Sequence, residues 1–147
     1  MNAIIICAST HHGNTRKVAD AIAKEYNLEV VDATQVHEKD LSEYDLIGFA
    51  SGIYGGKFDP NIIKFAKENL PENKKIFYIM TSAMNKIFKN AMGNGIDGKN
   101  AEIAGQFACS GYNTFGPFKL VGGTSKGHPD DEDIKNALEF YKGLIKE

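Results

Sequence analysis

The chain contains no tryptophan, only two cysteines and only four prolines in 147 residues. Cys7 and Cys109 form no CxxC pair and belong to no metal-ligand cluster, which argues against a disulfide framework and a thiolate metal centre. Cys7 lies inside an apolar run and reads as a small buried residue. An excess of charge of one sign is also missing: 17 basic and 19 acidic residues leave a net −2. That balance gives no broad attraction to nucleic acid. Long hydrophobic runs are absent as well. The N-terminal run Ala3-Ile4-Ile5-Ile6-Cys7-Ala8 has six residues and no basic region before it. It is too short for a signal peptide or a membrane span, and no later segment reaches membrane length. The expectation is a cytoplasmic protein without membrane contact. No nucleophile elbow, Walker loop or dinucleotide-binding glycine turn follows any apolar run, and neither cysteine stands beside an evident base. Hydrolase, ATPase and NAD-binding readings therefore have little support.

What is present is an alternation of strand-length apolar runs and helix-length amphipathic segments. The length suits one domain, residues 1–147, large enough to bury most of its surface. Residues 3–8 read as a strand buried on both faces. Thr15, Val18, Ala19, Ile22 and Tyr26 share one face of a helix that begins at Asn14 or Thr15. Leu28–Val31, Leu46–Ala50, Ile76–Met80 and Ile103–Cys109 read as four further strands. Asp59-Pro60 opens a second helix as N-cap and first residue. Residues 85–92 read as weakly helical, and 111–129 as a Gly-rich loop. Asp130–Ile145 reads as a last helix whose acidic start suits the helix dipole. Five strands alternating with helices imply an α/β doubly wound parallel sheet covered on both faces. In the order 2-1-3-4-5, strands 1 and 3 diverge at a switch point beyond which a ligand binds.

The stretch Ser9-Thr10-His11-His12-Gly13-Asn14-Thr15 lies at that point, between the first strand and the first helix. The first N–H groups of a helix have no intrahelical partner, and the dipole's positive end points the same way. Hydroxyls of Ser9, Thr10 and Thr15 add donors, so the loop can hold a phosphate with few positive side chains. Three other loops share this sheet edge: Ser51-Gly52-Ile53-Tyr54-Gly55-Gly56-Lys57-Phe58, Thr81-Ser82-Ala83-Met84, and Ser110-Gly111-Tyr112-Asn113-Thr114-Phe115. Together they suit a phosphorylated, planar, partly apolar ligand.

These residues give the sequence a resemblance to the flavodoxin family over essentially the whole chain. Ser9-Thr10 with Gly13-Asn14-Thr15, then Ser51–Gly55, carry it. The segment from Gly111 to Leu120 resembles a compact, short-chain subgroup. His11-His12 stand where many members have one Thr. The resemblance implies a bound FMN and a low-potential electron carrier that docks transiently with redox partner proteins near the flavin. It places the phosphate on Ser9, Thr10, His11, Gly13, Asn14 and Thr15. Ser51, Gly52, Ile53, Tyr54 and Gly55 would line the ring. Thr81, Ser82, Ala83 and Met84 would bond its edge or the ribityl chain, and Gly111 and Tyr112 would complete the pocket. Tyr54 is the first candidate to stack on the ring and Tyr112 the second, since the family's frequent Trp is missing. The Gly55–Gly56 or Tyr54–Gly55 peptide is a candidate to turn its carbonyl toward a proton on flavin N5, because glycine tolerates positive φ. Two other readings share the fold. One is an FMN-dependent NAD(P)H:quinone-type reductase, for which the chain has little spare length. The other is a phosphorylation-controlled receiver, which needs acids where Ala8-Ser9 and Ala50-Ser51 stand.

Overall fold

Six successive apolar residues form β1 (Ala3–Ala8), and all six are buried. They need no alternation because strands flank β1 on both sides and helices cover both sheet faces. The computed structural model describes residues 1–9, 13–83, 86–111 and 128–146. Along the chain follow α1 (Asn14–Tyr26), β2 (Glu29–Asp32), β3 (Leu46–Tyr54), β4 (Lys57–Phe58), α2 (Pro60–Asn69), β5 (Lys75–Ser82), β6 (Glu102–Ser110) and α3 (Asp131–Ile145). Five strands pair in parallel in the order β2-β1-β3-β5-β6, the doubly wound order the sequence predicts, and the two-residue β4 pairs antiparallel with β3.

Alternate residues of the strands build two cores. On one face Ile5, Cys7, Leu46, Ala50, Phe77 and Ile79 meet Val18 and Ile22 of α1 and Ala137 and Tyr141 of α3. On the other, Ile4, Ile6, Ile47, Phe49, Ile76 and Tyr78 meet Ile62, Phe65 and Ala66 of α2. Asp59 caps α2, its carboxylate accepting from Asn61 N at 2.8 Å, with Pro60 in the first turn. Asp130 and Asp133 cap α3 reciprocally.

Two segments differ from the sequence-based expectation. Residues 86–92 form no helix. From Asn90 to Lys99 the chain runs through successive turns, with Gly93 N donating to Asn90 O and Gly95 N to Met92 O, both at 3.0 Å. Gly93 and Gly98 sit at φ 57° and 74°, which breaks any helical run. Gly93 to Gly98 does spell G-x-G-x-x-G, but in these turns it neither follows a strand nor opens a helix, as dinucleotide binding requires. (The pattern G-x-S-x-G also occurs, at Gly123–Gly127, outside the described residues.) The second difference is the length of β3, which continues to Tyr54 where a loop was expected.

The turn segment covers Tyr78, which is 2% exposed and meets Phe58 edge-on at a centroid distance of 5.3 Å. Its enclosed hydroxyl has no hydrogen-bond partner among the described residues, and burial pushes the phenol up to about 12. An unsatisfied buried hydroxyl costs about 1–3 kcal/mol. Tyr78→Phe is therefore expected to raise stability by about 1 kcal/mol in urea unfolding. A loss of stability would reveal a partner for the hydroxyl.

Candidate functional site at the strand ends

The parallel register brings the carboxyl ends of four strands to one edge. Ala8 pairs with Ser51, Gly52 with Thr81, and Ser82 with Ser110. Beyond Gly52 the neighbours of β3 stop, and Ile53 and Tyr54 pair only with Phe58 and Lys57 of β4. The result is a hairpin that stands past the sheet edge. Its turn is Gly55-Gly56, at φ 60° and 82°. Positive φ at both central residues is what a two-residue type I′ turn demands. Tyr54 folds back along its own strand. A Cβ on Gly52 would lie 3.2 Å from the Tyr54 hydroxyl oxygen, so the glycine makes room for the phenol.

At the base of this hairpin, Ser51 is fully buried, and its hydroxyl is committed within the fold. It donates to Gly52 O at 2.6 Å and accepts from Asp59 N at 2.9 Å. Ser51 therefore ties β3 to the start of α2, and whatever it offers a ligand comes from its backbone. Ile53 is half-buried against the α2-side core.

Opposite stands the N-terminus of α1. Gly13 is its N-cap, in the left-handed region at φ 65°, with no side-chain cap bond and no acidic residue in the first turn. A Cβ there would meet nothing within 4 Å among the described residues, and the constraint on this position is its positive φ. Thr15 and Thr81 share a buried hydroxyl–hydroxyl bond of 2.7 Å that joins the first turn of α1 to the end of β5. Gly111 N donates to Ser82 O at 2.9 Å, and a Cβ on Gly111 would lie 2.7 Å from Asn14 Nδ2. Only glycine lets Asn14 and the end of β6 approach this closely. The structure thus brings together Gly13, Asn14, Thr15, Thr81, Ser82 and Gly111, with half-buried Ser9 and Ala83 at the same edge. Thr10, His11, His12, Met84 and Tyr112, also singled out from sequence, lie outside the described residues.

The side chains assembled at Gly13–Thr15, Thr81–Ala83 and Gly111 are hydroxyls, an amide and small groups, while the hairpin adds the Tyr54 phenol and, beside it, the Lys57 ammonium. A reactive thiol is not available. Cys7 and Cys109 are buried, and burial pushes each up to about 12. His128 stands in the cap of α3, with Nδ1 2.6 Å from Asp133 Oδ2, and that bond raises its pKa; the neighbouring Pro129 carbonyl accepts from Lys17 Nζ of α1 at 2.6 Å. The edge can bind and orient an anion and a flat ring, and the chain's two cysteines are buried away from nucleophilic use.

A family profile described as a flavodoxin domain matches residues 5–119, which include the α1 N-terminus, the hairpin and the end of β5. The chain belongs to the flavodoxin domain family. An uncharacterized protein of Methanocaldococcus jannaschii is 42% identical over 149 residues, covering 99% of both chains. The same fold is seen in oxidised flavodoxin 1 of Bacillus cereus, with a TM-score of 0.67 at 16% identity over 99% of this chain and 98% of that one. A flavoprotein of Lactobacillus acidophilus in complex with FMN superposes with a TM-score of 0.57 at 16% identity, over 74% of this chain and 93% of its own. The flavodoxin fold accounts for why the candidate site lies past β1 and β3, the switch point of the strand order. No helix of the described residues is long and apolar enough to cross a membrane.

Proposed function

We propose that this flavodoxin-family chain is a cytoplasmic, FMN-dependent, low-potential electron carrier serving redox partner proteins. The observation that carries the reading is the α1 N-terminus. It is opened by a left-handed glycine, carries neither side-chain cap nor acid, and faces an uncharged shelf of hydroxyls and backbone. Backbone N–H groups at such a terminus suit a phosphate monoester. The Lactobacillus acidophilus neighbour's complex with FMN supports the same ligand here. When bound, the flavin would supply reversible one-electron chemistry.

The chain's own residues would do the rest. Ser9, Gly13, Asn14 and Thr15, with Thr10 and His11, would hold the phosphate. Thr81, Ser82 and Ala83, with Met84, would bond the ring edge. Ile53, Tyr54 and Gly55 would wall one face, and Gly111 and Tyr112 the other side. Neutral hydroxyls and backbone groups of Thr81, Ser82 and Ala83 would bind the ring edge without adding a positive charge at it, which disfavours the anionic reduced flavin and lowers the potential. The carrier reading is preferred to the NAD(P)H:quinone-type reductase because a chain of 147 residues has little spare length for a nicotinamide or quinone pocket.

The Gly55–Gly56 or Tyr54–Gly55 peptide would hold the proton at flavin N5 through a carbonyl that turns toward it. A Cβ on Gly55 would meet nothing within 4 Å among the described residues, so Gly55→Ala acts through the backbone, at a φ of 60° that alanine adopts only with strain. The test is a spectroelectrochemical titration of the FMN-loaded protein and this variant. The wild type is expected to take up two electrons in two separated steps at low potential without oxidising NADH. Gly55→Ala is expected to keep FMN and bring the steps together. Unchanged separation would remove the peptide's role, and steady NADH–quinone turnover would favour the reductase.

A further inference from the structure

Beside the hairpin, between β4 and the exposed side of α2, lies an open groove with a predominantly apolar floor of Tyr54, Pro60 and Ile63. Three lysines rim it: Lys57 on β4, and Lys64 and Lys67 one turn apart on α2. All three are exposed, and none pairs with a carboxylate among the described residues. The acids nearby do not neutralise them. Asp59 is buried and spent on capping α2, and Glu68, one turn on from Lys64, shares a second depression with it, His37 and Asn61 but forms no ion pair with it among the described residues. At the hairpin tip Phe88 reaches within 4.0 Å of a Cβ on Gly56, and Lys86 Nζ stands 4.8 Å over the Phe88 ring. The patch is thus locally positive on a chain whose net charge is −2.

We infer that this groove is a docking surface for the acidic face of a partner protein, with apolar contact at its centre and carboxylates against the lysine rim. Charge complementarity sets the occupant. An apolar centre inside a ring of like charge matches the usual layout of a protein interface, with an apolar core and a polar rim. It fits a nucleic acid poorly, because the floor offers Pro60 and Ile63 where phosphates would lie. The chain's one arginine, Arg16, is tied to Asp20 on α1. This inference deepens the electron-carrier reading, since it says which kind of partner approaches the hairpin.

The test titrates the 15N-labelled full chain, with and without added FMN, with an oxidised plant-type [2Fe–2S] ferredoxin, which is acidic. Separate titrations use horse cytochrome c, which is basic, and a single-stranded DNA oligonucleotide. Ferredoxin is expected to shift amide signals within residues 54–67, with an affinity that falls as salt screens the rim. Reversing the rim in K57E/K64E/K67E is expected to weaken this binding at least about tenfold. Lys64→Glu alone, on an exposed helix face, is expected to show a smaller loss and guards against misfolding of the triple variant. Tighter binding of cytochrome c than of ferredoxin, shifts confined to other surfaces, or oligonucleotide binding at residues 54–67 would each overturn the assignment. Shifts at the groove in a chain that takes up no FMN would keep the docking surface and reject the carrier reading. FMN uptake without groove shifts would do the reverse.

Discussion

Gly48→Ala is expected to destabilise the fold by about 2–3 kcal/mol, although it adds one methyl group in the middle of a strand. Gly48 lies on β3 opposite Phe77 of β5, and an added Cβ would fall 2.3 Å from Phe77 Cζ and 2.6 Å from Cε2. The ring cannot move aside. Phe77 is fully buried and meets Tyr141 and Phe140 of α3 at centroid distances of 5.7 and 6.2 Å. On its other side Phe77 pairs with Gly105 of β6, where a Cβ would fall 2.8 Å from Leu144 Cδ2. Two glycines in register thus flank one phenylalanine and clear the seat of α3. Alanine would also lose less chain entropy on folding, which offsets about 0.4–1 kcal/mol of the strain. Urea unfolding reads the net effect as a lower midpoint at unchanged slope. The double variant with Phe77→Leu discriminates the mechanism. It is expected to be no less stable than Phe77→Leu alone, because the new methyl enters space the ring vacates. Additive losses would mean that the strain lies elsewhere.

That glycine row also marks where sequence reading stops. The five parallel strands were legible because strands buried on both faces are nearly continuous apolar runs, as in Ala3–Ala8 and Ile76–Met80. The Asp59-Pro60 helix start was legible because capping is a local event. The role of Gly48 was not, since it depends on which residue of another strand stands beside it. The same holds for Gly111, whose need for a bare Cα comes from Asn14, far away along the chain. The hairpin has a local signal of its own. Gly55-Gly56 between Ile53-Tyr54 and Lys57-Phe58 has the form of a two-residue hairpin, but its glycines and Ser51-Gly52 together read as loop. Residues 85–92 misled in the opposite sense. Their spacing is weakly helical, yet Gly93, Asn94 and Gly95 follow directly and turns prevail.

At the candidate site the least legible contact is the one that yields the sharpest functional prediction. Thr15 was singled out as one of several hydroxyls near a helix start. The structure bonds it to Thr81, 66 residues on, at 2.7 Å in a buried position. If Thr81 donates to Thr15, then the Thr15 proton is directed onward to an anion at the α1 N-terminus, and each bond polarises the other. Thr15→Val keeps the shape and removes the hydroxyl. A hydrogen bond to a charged group contributes about 1.5–3 kcal/mol, so the variant is expected to bind FMN roughly 10- to 100-fold more weakly. Thr81→Val leaves the direct donor in place and is expected to cost only about a tenth as much in affinity. Riboflavin, which lacks the phosphate, supplies the control. Fluorescence titration of the flavin-free protein should show Thr15→Val weakening FMN far more than riboflavin. Equal losses for the two ligands would mean that the Thr15–Thr81 bond holds the first turn of α1 in place without touching the phosphate. In that case the anion site would rest on backbone N–H groups and the loop's other side chains, and Gly13, which sets the direction of the N–H groups, would be a more sensitive residue than Thr15.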